Sequence, residues 1–260
     1  MDLGLRNQVV LITGGSKGIG LACAQAFAAE GARVAIASRE AAHLQAAVAA
    51  LAPHAVLAVQ ADLREAVAAE RMVQAVEQAL GPIDVLVNSA GAARRTPAAD
   101  LTAAHWHDAM DAKFFTTVHA MQAVIGGMAA RGRGAIVNVV GAGGKLASAI
   151  HLPGGAANAA LMLASAGLAN AYATKGVRVN AVNPGLVATT RMDEGFAAEA
   201  RASGRSVDEV RAQAASTLPL GRICSADEVA SVVLFLASAR ASYVSGAVLS
   251  VDGAKTPMVV

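Results

Sequence analysis

Near its start the chain reads Thr13-Gly14-Gly15-Ser16-Lys17-Gly18-Ile19-Gly20. Glycines at this spacing allow a tight turn and let a pyrophosphate approach the N-terminus of the helix that follows. Glycine turns are common, so the setting matters. Here the loop lies between an apolar run, Val9 to Thr13, and a helical stretch opening at Ile19. A second glycine cluster, Gly141, Gly143, Gly144, Gly154 and Gly155, surrounds His151, Ser148 and Lys145. Accessible backbone N–H groups there can act as oxyanion donors, or the glycines only fill turns. Arg94, Arg95 and Arg191 follow strand-like runs and hint at an anionic substrate, with ordinary solvated loop charge as the alternative. No Cys/His/Asp/Glu spacing suggests a metal site, and Cys23 and Cys224 do not make a disulfide framework.

The elements that must hold these residues alternate along the whole chain. Short apolar runs at Val9–Thr13, Arg33–Ser38, Ala55–Ala61, Ile83–Asn88, Ala135–Val140, Val177–Asn183 and Ala247–Val251 fit strands buried on both faces. Helical stretches lie between them: Ile19–Glu30, Glu40–Leu51, Glu65–Leu80, Ala103–Arg131, Ala156–Ala173 and Ala226–Ala239. Such alternation predicts an α/β fold: a Rossmann-type, doubly wound, mainly seven-stranded parallel sheet with helices on both faces. Residues 1–260 read as a single domain without linker or repeat. The charged segment 192–219 breaks the rhythm where open α/β sheets bind ligands. It is either a mobile substrate lid or a solvated helical pair.

Composition narrows the function. Of 260 residues, 55% are apolar and 3% aromatic, so a large core must be built from aliphatic side chains. The net charge of +2 and the few aromatics argue against a nucleic-acid partner. The cysteine usage and the absence of a signal-peptide pattern predict a cytoplasmic protein. The uncharged stretch from Leu146 to Thr174 contains Pro153, Gly154-Gly155, Asn158 and Asn170. It reads as a helix buried in protein rather than a membrane span.

Further motifs accompany the glycine loop. Asp62 ends the third strand run, Asn88-Ser89-Ala90-Gly91 follows the fourth, and Asn183-Pro184-Gly185 with Thr189 follows the sixth. Pro219-Leu220-Gly221-Arg222, Asp227-Glu228-Val229-Ala230 and Val251-Asp252-Gly253 complete the series. Together they resemble the short-chain dehydrogenase/reductase family over nearly the whole chain. The resemblance implies a nicotinamide dinucleotide held by Gly14, Ser16, Lys17, Gly18, Ile19, Gly20, Ser38, Arg39, Asp62, Leu63, Asn88, Ala90, Gly91, Pro184, Gly185, Val187 and Thr189. An NAD site normally has an acid after the second strand, against the ribose 2′-hydroxyl. Here that position reads Ser38-Arg39. Arg39 can fork onto a 2′-phosphate and Lys17 can add a second cation, so NADP(H) is expected over NAD(H).

The family's catalytic set is asparagine, serine, tyrosine and lysine. Aligned on the motifs, the serine, tyrosine and lysine positions fall on Gly141, Gly154 and Asn158, and the asparagine position on Lys113. The asparagine and lysine have thus exchanged places. Lys113 can restore a cation from the opposite helix, or else reach solvent or pair with Asp108 or Asp111. His151, just before the vacant tyrosine position, has a suitable unperturbed pKa but is a loop histidine that can be incidental. The candidate catalytic residues are therefore Lys113, Asn158 and His151.

Three functions stay open on this reading. One is an NADP(H)-dependent oxidoreductase acting on a small carbonyl or alcohol through a non-standard site. The second is a silent NADP(H)-binding or regulatory protein. The third is a non-redox lyase or isomerase. The helices 103–131 and 156–173 carry long uncharged stretches, Phe114–Ala130 and Ala156–Thr174. A monomer's surface helix needs a polar face, so a homodimer or homotetramer is expected across them. Ala156, Ala160 and Ala164 are the expected seam.

Overall fold

The computed structural model describes residues 2–91 and 93–258. Its centre is one parallel sheet of β1 (Val9–Thr13), β2 (Arg33–Ser38), β3 (Val56–Gln60), β4 (Val85–Asn88), β5 (Gly134–Val139), β6 (Val177–Pro184) and β7 (Val248–Val251). The strand order is β3-β2-β1-β4-β5-β6-β7. Order reverses between β1 and β4, which pair from Val10↔Val85 to Thr13↔Asn88. That switch point opens a crevice at the carboxyl ends of both strands, where open α/β sheets bind ligands.

Successive β1 side chains serve opposite layers. Val10 and Ile12 pack with Phe27 of α1 (Gly18–Ala29), Leu44 of α2 (Ala41–Ala50) and Val233 of α9 (Ala226–Ala237). Val9 and Leu11 pack on the other face with Met72 of α3 (Ala66–Leu80) and Met121 of α5 (Thr116–Ala130). Ala169 of α6 (Leu152–Tyr172) joins that second layer. This is why the strands read as continuous apolar runs. Arg178 of β6 sends its guanidinium to the carbonyls of Leu236, Ala237, Ser238 and Val244, holding a cation at the C-terminal end of α9.

Two helix boundaries differ from the sequence expectation. The stretch 103–131 is not one regular helix. α4 (Ala103–Ala109) passes into a π-helical turn, Met110–Phe115, before α5 begins. The Thr116 hydroxyl donates to the Asp111 carbonyl at 2.9 Å inside this widened turn. A side chain bonding back into the ladder competes with the regular helical bond. α6 starts at Leu152 rather than Ala156, because Pro153 suits a first helical turn, where its missing N–H costs nothing. Gly154 and Gly155 are therefore helical, not loop, residues, and the Gly155 N–H already donates to the His151 carbonyl at 2.8 Å.

α6 with the turn after it, Leu152–Lys175, is long and apolar enough to cross a membrane by length and composition. Its inner face, Ala157, Leu161, Ser165 and Ala169, is buried in the protein. The segment 192–219 folds mainly as α7 (Thr190–Ser203) and α8 (Val207–Ser216) around Phe196, Ala200 and Val210. Arg211 pairs with Asp193 at 2.9 Å across the two helices.

Candidate active site

A cleft of about 500 Å³ opens at the switch point. Gly14, Ser16, Lys17, Gly18 and Ile19 form its floor, with Ser38 and Arg39 at the end of β2. Asp62 and Leu63 follow β3, Ala90 and Gly91 follow β4, and Thr189 precedes α7. All of these expected residues are thus brought together.

The glycines here are sterically required. A Cβ on Gly14 would lie 2.7 Å from the Ala90 backbone, and one on Gly20 would lie 2.2 Å from the Gly14 carbonyl oxygen. Gly18 has φ +52°, and a Cβ there would sit 3.2 Å from the Thr189 side chain. The loop is a close-fitting cradle, and these residues fit a dinucleotide pyrophosphate at the start of α1.

Five expected cofactor residues do not line this cleft. Gly20 acts through packing, in the contact just described. Asn88 is buried in a side-chain chain: Thr13 Oγ1 donates to Asn88 Oδ1 at 3.1 Å, and Asn88 Nδ2 to Asn138 Oδ1 at 2.8 Å. Asn138 Nδ2 then donates to Ser165 Oγ at 2.8 Å, and Ser165 Oγ to the Leu161 carbonyl at 2.6 Å. Pro184 ends β6, Gly185 packs so closely that a Cβ would meet Asp252 at 2.9 Å, and Val187 bridges to Cys224.

Other residues at the cleft have no counterpart in the sequence reading. Arg64 forms a two-pronged pair with Asp62 and holds that carboxyl below its ordinary range. His43 meets Lys17, Nε2 to Nζ, at 2.9 Å. Lys17, Arg39, His43 and Arg64 therefore gather at the β2–β3 end of the cleft, with Glu40 and Asp62 as its acids. A two-residue spacing such as Asp62–Arg64 carries no signal of its own, so only the fold shows the pairing.

The expected catalytic residues Lys113, Asn158 and His151 do not line this cleft; Lys113 lies next to it, beside Gly91 and Ala112, which do. Lys113 is on the inner side of the π-turn, half-buried, its Cγ 3.4 Å from where a Cβ on Gly91 would lie. Burial pushes its ammonium down to about 8, with the positive charge of Arg191 adding to the effect. Neither Asp108 nor Asp111 forms an ion pair with it among the described residues. Arg191 donates to the Gly91 carbonyl at 3.2 Å, so two cations flank Gly91. A widened π-turn is a frequent device at functional sites because it re-aims side chains.

Asn158 is buried, and its Oδ1 has no partner among the described residues. Its Nδ2 lies 3.3 Å from where a Cβ on Gly141 would be. His151 caps the start of α6, and its Nδ1 is likewise buried and unpartnered among the described residues. Burial, then the charges of Lys113 and Arg95, holds the imidazole below its ordinary value. Orphaned buried polar atoms on two neighbouring side chains are costly unless a ligand or water completes them. Lys145 faces elsewhere, its Nζ reaching the Val248 carbonyl at 3.3 Å and tying the glycine loop to β7.

A glycine cradle, a switch-point crevice and a parallel sheet with two helical layers define a Rossmann-type dinucleotide-binding protein. A family profile described as Enoyl-(Acyl carrier protein) reductase matches residues 14–255. The chain is 35% identical over 250 residues to galactitol 2-dehydrogenase of Agrobacterium fabrum, covering 96% of this chain and 97% of that protein. It is 37% identical over 247 residues to the L-tagatose-forming galactitol 2-dehydrogenase of Cereibacter sphaeroides, covering 94% and 93%. L-sorbose reductase of Gluconobacter frateurii, solved with NADPH and L-sorbose, superposes with a TM-score of 0.94 at 30% identity over 100% of both chains. The chain belongs to the short-chain dehydrogenase/reductase family.

Proposed function

We propose that this protein is an NADP(H)-dependent oxidoreductase that interconverts a secondary alcohol and a ketone on a small polyol or keto-sugar. The observation that carries the reading is the half-buried ammonium of Lys113, without a carboxylate partner among the described residues, on a π-turn beside a dinucleotide-fitting cleft. An ammonium there stabilises negative charge developing on a substrate oxygen. The galactitol dehydrogenases and the sorbose reductase supply the substrate class by similarity.

Arg39 and Lys17 would hold the 2′-phosphate, Asp62 the adenine side, and Ser16 to Ile19 the pyrophosphate. When bound, the nicotinamide supplies hydride transfer. Lys113 and Asn158 orient and polarise the substrate oxygen, in the places that the family resemblance gives to asparagine and lysine. α7, which brings Arg191 and Glu194 to the cleft, would cover the bound substrate as a lid together with α8.

We also assign a self-association face to α5 and α6. Ala156, Ala159, Leu163 and Gly167 of α6 are exposed, Leu163 at 77%, as are Gln122 and Gly126 of α5. The outward seam therefore runs through Ala159 and Leu163 rather than through Ala160 and Ala164, which are half-buried. An uncharged stripe of this kind fits an isologous homodimer or homotetramer contact.

The test is to present NADP⁺ and NAD⁺ with a panel of polyols, and NADPH with the matching ketoses, following nicotinamide absorbance. A change with at least one substrate, faster with the phosphorylated cofactor, is expected. NADPH binding without turnover on any substrate would instead favour a silent binding protein. Substrate loss without absorbance change would favour a lyase or isomerase.

A further inference from the structure

The imidazole of His151 fills space that belongs to another residue. A Cβ built on Gly154 would lie 2.3 Å from His151 Cε1 and 2.5 Å from Nε2. Both distances are far inside van der Waals contact, so no side chain can exist at position 154 while the ring stays where it is. On the other side of the ring, a Cβ on Gly143 would lie 3.3 Å from His151 Cδ2 and 3.6 Å from Asn158 Nδ2. The ring is thus wedged between two glycine backbones, and Asn158 converges on the same point. Position 154 is where the family resemblance places the tyrosine.

We infer that His151 and Gly154 are a coupled replacement, in which the imidazole stands in the room of the missing phenol and exchanges the proton with the substrate oxygen. The inference rests on the oxidoreductase reading above. Three glycines, Gly141, Gly143 and Gly154, clear the room for His151 and Asn158, and each of those two side chains has a buried, unpartnered polar atom. Around Gly143 it is the Nε2 edge of the ring and Asn158 Nδ2 that converge, and a substrate hydroxyl entering there can accept from the amide and donate to an imidazole nitrogen.

The step balances in the oxidising direction. The carbinol O–H proton passes to a neutral imidazole nitrogen and the C=O bond forms, while a bound oxidised nicotinamide would take up the C–H electron pair as hydride. Lys113 holds the oxygen while negative charge develops on it. Burial and the neighbouring charges of Lys113 and Arg95 keep His151 neutral near pH 7, which is the state a base requires. In the reducing direction the imidazolium returns the proton, so reduction should favour lower pH than oxidation.

The test uses the full chain with labelled histidines and follows ring resonances against pH by NMR, with His151→Gln assigning the signal. Before any cofactor is added, His151 should titrate below the ordinary value of about 6.5, and Lys113→Met should raise it. Gly154→Ala adds one methyl where the ring lies. It should displace the imidazole and move its titration toward the ordinary value, with circular dichroism unchanged. Turnover on a polyol that the wild-type protein oxidises should fall about a hundredfold or more in His151→Gln, with NADPH affinity retained. Ordinary titration in the wild-type protein, or His151→Gln keeping more than about a tenth of turnover, overturns the proposal while leaving the oxidoreductase reading intact. A wild-type protein that turns over nothing overturns both. Should Gly154→Ala fail to fold, the His151→Gln and Lys113→Met results still decide.

Discussion

The cleft and the side-chain cluster beside it, the two halves of the proposed site, are built on different principles. At the β1–β2 end the chain itself makes the site: glycine backbones, a helix start and strand ends. At the β5–α6 end the proposed site is made of side chains, in an arrangement that the family resemblance reads as an exchange of places. Lys113 and Asn158 sit on facing elements, the His151 ring occupies the room of position 154, and glycines lie where larger residues would clash. A backbone cradle admits few alternatives, because a single Cβ closes it. A proton-handling cluster needs only a cation, an acid/base group and a polar anchor within reach, and several arrangements supply them. The first half can stay fixed while the second is rebuilt.

The sharpest break between the halves is Lys113→Met. Turnover should drop by about 10²–10⁴ while NADPH affinity holds, measured by steady-state kinetics and cofactor titration. The pH profile adds a second readout. In the wild-type protein alcohol oxidation should decline above about 8, as the Lys113 ammonium loses its proton, and this limb should vanish in the variant. Stability moves the opposite way. The folded ammonium ionises near 8 against 10.5 in the open chain, so between these values the unfolded state binds more protons. The wild-type protein should therefore gain stability as pH rises through that window, and Lys113→Met should not. Loss of cofactor binding in this variant would erase the distinction between the halves.

Asn138→Ala tests what joins them. Its amide links Thr13 and Asn88, beside the glycine loop, to Ser165 on α6. Breaking a buried chain of this kind costs about 1–3 kcal/mol, readable by denaturant unfolding, and should loosen both functions together. An effect confined to one function would show that the halves are energetically separate.

Arg39→Ala should act on the cofactor half alone. NADPH should lose its advantage over NADH, about tenfold or about 1.4 kcal/mol, with turnover at saturating cofactor preserved. Equal affinity for both cofactors in the wild-type protein would remove Arg39 and Lys17 from the 2′-phosphate. Least of all on the chemistry, Leu163→Arg should split the assembly by placing a charge in its apolar seam, seen as reduced mass by light scattering. A wild-type monomer at micromolar concentration would leave the uncharged face of α6 without a partner.

The glycine loop, the apolar strands and the alternation that orders the sheet were legible in the sequence, because each rests on a local rule: a turn that only glycine permits, a buried strand's hydrophobic run, a helix period. Lys113 and Asn158 could be named from sequence through the family pattern, and so could His151 as one loop histidine among other candidates. Their relationship could not. The π-turn that aims Lys113 depends on how α4 and α5 meet the rest of the layer, and Ala103–Arg131 reads as a single helix without that information. The early start of α6 had a local sign in Pro153, but its consequence is spatial. It turns Gly154 inward against the His151 ring, so that one residue's missing side chain is filled by another's. Volume exclusion between non-adjacent atoms has no sequence period, and only the packed chain decides it.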